Sequence, residues 1–174
     1  IFVSWFVLLG PEQLRPSDTS NRGTLIEPPQ WISASGVQDV DGEAFGDTYF
    51  TGVWTLLYLR EGACTDECRA ALYRMRQSWK ALNKDQPRVQ RAFLRTVPPN
   101  AAESEFLTAE HPGLRIGRAD AAWLNVLANE SLLAGGIVVI IDPEGLALMY
   151  YQASDDARGI IKDMKRLLKL SKIG

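Results

Sequence analysis

Residues 53–59 form an unbroken apolar and β-branched run, which predicts a strand buried on both faces. A short loop follows and ends at Cys64. Beyond it Cys68, Leu72, Met75, Trp79 and Leu82 recur at three- and four-residue steps, the spacing of a helix with one apolar face. Thr65 or Asp66 can cap that helix, and Asp66 and Glu67 complement the positive end of its dipole. Its other side carries Arg69, Arg74, Arg76 and Lys80, a solvated basic face. Residues 89–94 predict a second strand, and residues 101–109 a short helix entered after Pro98 and Pro99. Asp120 caps a further short helix that holds Trp123, Leu124 and Leu127.

Residues 137–141 are five consecutive Ile and Val, a central strand. Asp142-Pro143-Glu144-Gly145 then places Pro and Gly where turn geometry wants them, and residues 146–151 return as an antiparallel partner. Ser154 is the predicted cap of a last helix, with Ile160, Ile161, Met164, Leu167 and Leu168 on one face. Basic residues between Arg158 and Lys172 lie mostly on the other face. Such a helix could lie on a membrane or an acidic partner, or simply pack on the core with its basic side in water.

The two ends of the pattern differ. Residues 1–9 contain a single polar side chain, Ser4, and Gly10-Pro11 ends the run. A spanning helix needs roughly 20 apolar residues, so residues 1–10 are expected to be the end of a membrane anchor. A buried first element of the fold and a signal-peptide remnant are the other readings. The next stretch is rich in Pro, Ser, Asn and Gly and has no period. With Pro28-Pro29 enforcing an extended backbone, residues 11–35 are expected to be a linker and residues 36–174 the folded domain.

Composition narrows the function. With 46% apolar and 23% charged residues in 174, the chain is that of an ordinary globular domain. Its 19 basic and 21 acidic residues leave a net charge of −2, which argues against nucleic acid as a partner. A single histidine, His111, excludes a multi-histidine metal cage. Two cysteines, Cys64 and Cys68, exclude a four-cysteine zinc site and a disulfide-dense scaffold.

The element order β-α-β-α, helix, hairpin, helix resembles the α/β thioredoxin-like plan, a central mixed sheet flanked by helices. Cys64 and Cys68 sit just after the first central strand and at the start of the first long helix. Helix N-terminal amides and the dipole stabilise a thiolate there. Four residues of helix rise about 6 Å, which keeps both sulfurs on one face and within reach of a disulfide. Two such thiolates can also hold a soft monovalent copper ion.

A CxxxC pair on this plan, behind one N-terminal anchor, resembles the Sco/SenC family of cytochrome oxidase assembly proteins. Residues 138–145, Val-Val-Ile-Ile-Asp-Pro-Glu-Gly, look like that family's closing hairpin. The resemblance implies a bacterial inner-membrane protein with a periplasmic domain, which helps mature the copper site of a haem-copper oxidase. It implies copper held by Cys64, Cys68 and one histidine, with oxidase subunits or other assembly factors as partners. The family's histidine would fall near Ala134, where this chain has none, and His111 is the remaining candidate. Two alternatives stay open: a thiol-disulfide oxidoreductase of the cell envelope using Cys64 and Cys68, and a non-catalytic accessory subunit in which they form a static bridge.

Overall fold

The computed structural model describes residues 22–171. Seven strands form one mixed sheet: β1 (Thr24–Trp31), β2 (Gln38–Asp39), β3 (Trp54–Leu59), β4 (Val89–Arg95), β5 (Leu114–Arg118), β6 (Ile137–Ile141) and β7 (Leu146–Gln152). Their spatial order is β1-β7-β6-β3-β4-β5-β2. The helices are α1 (Asp66–Lys80), α2 (Ala101–Glu110), α3 (Ala121–Asn125), α4 (Glu130–Gly135) and α5 (Ala157–Leu170), with a 3-10 turn over Asn83–Arg88. The expected thioredoxin-like α/β fold is present.

β3 explains the layering. It is fully buried and pairs parallel to β4 and antiparallel to β6, with Leu57 opposite both Ala92 and Val139. Successive side chains of a strand point to opposite faces. Trp54, Leu56 and Tyr58 therefore join Val138 and Ile140 in a core with Leu72 and Met75 of α1, Leu107 of α2 and Ile160, Met164 and Leu167 of α5. Leu57 and Leu59 join Val139 and Ile141 in a second core closed by Val37, Phe45 and Phe50 of the loops after β1, with Leu124 of α3 and Leu133 of α4. The unbroken apolar runs of β3 and β6 reflect this burial on both sides.

The sheet begins inside the segment read as linker. β1 pairs antiparallel with β7 through Thr24–Tyr150 and Trp31–Leu146, so the folded domain starts well before Gly36. Pro28 and Pro29 fit because β1 is an edge strand and both lie at the register break between Leu25 and Gln30, where no ladder donor is needed. The anchor expected over residues 1–10 lies outside the described residues, and among those described no helix is long and apolar enough to cross a membrane. Asp156, rather than Ser154, caps α5 by accepting from Arg158 N–H, while Asp155 closes the preceding turn on Gln152 N–H. β5 and α4 are further elements the periodicity did not give.

Candidate thiol site

The end of β3 delivers the chain to the cysteines. Arg60 N–H donates to Leu94 O and Glu61 N–H to Leu133 O, which fixes the loop between β4 and α4. Thr65 is the N-cap of α1, and its hydroxyl accepts from Cys68 N–H at 3.4 Å. Asp66 and Glu67 fill the first turn, as expected. Cys64 and Cys68 form a disulfide, with Cα atoms 5.1 Å apart. Cys68 has 0% exposure and packs in the first core, while Cys64 is half-buried at its margin.

Two arginines and one carboxylate hold the loop from below. Arg95, fully buried at the end of β4, forms an ion pair with Glu103 of α2 and donates to Gly62 O at 3.4 Å. The other oxygen of Glu103 accepts from Cys64 N–H at 3.3 Å. Burial pushes the Glu103 carboxyl up, but the Arg95 guanidinium and the Cys64 amide outweigh it and leave it below its ordinary value. Arg60, also buried, donates from Nε to Ala63 O at 3.2 Å. Sequence reasoning missed Arg60, Arg95 and Glu103. The available signal was an arginine just after the apolar run of β3 and another closing the apolar run over residues 92–94 of β4, a costly place for an unpaired charge.

His111 does not join the cysteines. It is the C-cap of α2, its N–H bonded to Leu107 O, whereas Glu103 meets Cys64 near the other end of that helix. Eight helical residues separate those two contacts by about 12 Å. Nor is it an exposed loop residue: it is only 4% exposed, edge-on to Phe106. Burial, with Arg76 and Arg91 nearby, lowers its pKa to about 4. Among the described residues no three of His, Cys, Asp and Glu gather as a metal site.

Where the family's histidine was sought, Ser131 to Gly135 belong to α4, and Gly136 leads into β6. A groove of about 550 Å³ opens here between α1, α4 and the end of β7, lined by Glu67, Arg74, Ser131, Gly136, Gln152 and Ala153; neither cysteine lines it. Among the described residues the donor set offers two soft sulfurs and no third ligand. Chemically the site suits exchange at the half-buried Cys64, with the fully buried Cys68 as the leaving and resolving group.

This is a thioredoxin-fold domain with a cysteine pair at the start of its first long helix. The family described as "Transmembrane-like, thioredoxin-like, C-terminal domain" matches residues 54–171, and the chain belongs to that family. No curated protein sequence matches it. Among solved structures it is similar to copper-bound yeast Sco1, with 17% identity over 89% of this chain and 96% of that one and a TM-score of 0.63. Copper-bound ScoI of Arabidopsis thaliana gives 15% identity, 82% and 99% coverage and a TM-score of 0.61. BsSco, described as having a disulfide switch and as a member of the Sco family of cytochrome c oxidase assembly proteins, gives 14%, 85% and 99%, and 0.58. The expected Sco likeness thus holds at the level of the fold.

Proposed function

We propose that this chain is a membrane-anchored, periplasm-facing accessory factor of haem-copper oxidase assembly that exchanges thiols and disulfides with its partner through Cys64 and Cys68. The observation that carries the reading is the asymmetry of the pair, Cys64 half-buried at the margin of the core and Cys68 fully inside it, at a capped helix N-terminus. A partner thiolate attacks Cys64 Sγ, the Cys64–Cys68 bond breaks, and Cys68 leaves as a thiolate. A second partner thiolate then attacks the mixed disulfide, releases Cys64 and closes the partner's own bridge; two electrons pass to this chain. The reverse sequence reduces a partner disulfide. The Sco-like fold, shared with a protein described as belonging to an oxidase assembly family, supports the choice of partner.

Copper carriage is a second reading, favoured by the copper bound to Sco proteins of the same fold. The reduced pair supplies two thiolates for Cu(I) as cargo, and any further ligand would come from the partner. One experiment separates the readings. The reduced chain is titrated with Cu(I) against a chelator in the native form and in Cys64→Ser and Cys68→Ser, and the native disulfide is equilibrated with glutathione. Exchange at mild potential without competitive copper binding supports the first reading. Tight binding of one equivalent, lost in both variants, supports the second. A bridge inert to both reagents would overturn both and leave a static disulfide.

A further inference from the structure

The basic face of α5 has no part in the thiol site. Arg158, Lys162, Lys165 and Lys169 follow at steps of four, three and four residues, and all four are exposed. At 3.6 residues per turn they fall within an arc of about 60°, while Ile160, Met164, Leu167 and Leu168 face the core. The helix carries one carboxylate, Asp163, which has 0% exposure. Arg158 pairs with Asp156 just outside the helix, and among the described residues no carboxylate pairs with Lys162, Lys165 or Lys169. In a chain of net charge −2 this is a concentrated positive stripe.

The N-terminal segment is fastened to the same helix. The N–H groups of Arg22 and Gly23 both donate to Asp163 Oδ2 at 2.9 Å, and the Tyr151 hydroxyl donates to that oxygen as well. Arg22 packs so close to Gly159 that a Cβ there would lie 3.0 Å from it. Arg22 therefore sits on the flank of α5, and twelve residues of sequence separate it from the apolar run at residues 1–9. Twelve extended residues span at most about 40 Å.

We propose that the Arg158, Lys162, Lys165 and Lys169 face of α5 rests on the anionic headgroups of the bilayer to which the chain is tethered, an inference that depends on the anchoring reading above. The complementary charge is the phosphate-rich surface of that bilayer, which attracts basic residues held within a Debye length of it. The sheet register carries a consequence. Thr24 lies opposite Tyr150, Gln152 opposite Ile137, and Ile137 opposite Leu59, so the chain enters at the end of the sheet that bears the cysteines. α5 also starts at that end, directly after β7, so the entering chain and the first turn of the basic stripe share the end of the sheet that bears the cysteines.

The test uses the full chain reconstituted with vesicles of phosphatidylcholine alone or mixed with phosphatidylglycerol. Flotation reads attachment, and a membrane-impermeant amine reagent with mass spectrometry reads the exposure of each lysine. Flotation with both vesicles is expected, with Lys162, Lys165 and Lys169 labelled about fivefold more slowly on the anionic ones. Exposed Lys80 and Lys84 should be unaffected, and high salt or the triple variant Lys162→Glu, Lys165→Glu, Lys169→Glu should remove the protection. Flotation with both but equal labelling would overturn the docking, keep the anchor and leave the stripe to solvent or an acidic protein. Flotation only with anionic vesicles, lost in the triple variant, would support the docking and overturn the anchor. Failure to float with either would overturn both.

Discussion

The backbone N–H of Cys64 donates to Oε1 of Glu103, and the second oxygen of that carboxylate neutralises the buried Arg95. Glu103 therefore ties α2 to the thiol loop while placing negative charge beside the sulfur. Any thiolate formed at Cys64 feels that charge. The same group steadies the loop and opposes reduction of the disulfide.

Removing Glu103 should separate those effects. Glu103→Ala leaves Arg95 buried without its counter-ion, and a loss of about 3 kcal/mol is expected in urea unfolding. Glu103→Gln keeps an acceptor for the Cys64 amide but turns its NH2 toward the unneutralised Arg95 guanidinium, so it should cost about 2–3 kcal/mol, nearly as much. In both variants the thiolate gains stability as the carboxylate charge disappears, so the disulfide should become more oxidising by about 30 mV in glutathione equilibration. A shift to more negative potential would show that Glu103 acts on the pair in the opposite sense.

Elements whose order comes from local chemistry were legible in the sequence. β3 and β6 announced themselves because burial on both faces demands unbroken apolar runs, and α1 because its stripe, cap and first-turn acids agree. β1 was hidden because Pro28-Pro29 suppresses the usual strand signal; only the free edge of β7 makes it a strand. β5, Leu-Arg-Ile-Gly-Arg, gives a weak signal because it has only two apolar positions beside a Gly and two Arg, and the packing of Arg115 over Phe45 and Tyr49 is made by the tertiary fold. The cysteines were legible as a site. The Arg95–Glu103 support was not, since the pair is made by packing α2 against the end of β4.

Reduction of the disulfide should destabilise the domain only modestly. The closed loop spans a sequence separation of 4, and loop-closure entropy for so short a loop is worth about 2 kcal/mol. Thermal unfolding with and without reductant, beside the Cys64→Ser, Cys68→Ser double variant, measures this. A loss of that size fits a pair that opens and closes in function. Collapse of the fold would make it a structural staple.

Gly136 is constrained from two directions. Its φ is +83°, a region where side chains are disfavoured, and a Cβ would come within 2.6 Å of Tyr58 Oη and 2.8 Å of its ring. Gly136→Ala should therefore cost about 2 kcal/mol or more in urea unfolding. Tyr58→Phe in the same background should recover only part of it, because the ring carbons remain in the way. Full recovery would assign the whole cost to the hydroxyl.

Two buried groups should give this domain opposing pH dependences. His111 has its pKa lowered to about 4, from an ordinary 6.5, by burial and by Arg76 and Arg91. The unfolded chain therefore binds the proton first, and this group withdraws stability as pH falls from about 6.5 to 4, in total about 3 kcal/mol. Asp142, at the start of the β6–β7 turn, has its pKa raised to about 6, from 3.8, by burial that outweighs the N–H groups of Leu146 and Glu144. The folded state binds that proton first, so stability returns as pH falls from about 6 to 3.8, by a similar amount. In the native chain the two slopes largely cancel. His111→Gln should unmask the rise and Asp142→Asn the fall. Urea unfolding between pH 7 and about 4.5 should make the stability curves of the two variants diverge by several kcal/mol. Parallel curves would mean that neither group titrates as its surroundings dictate.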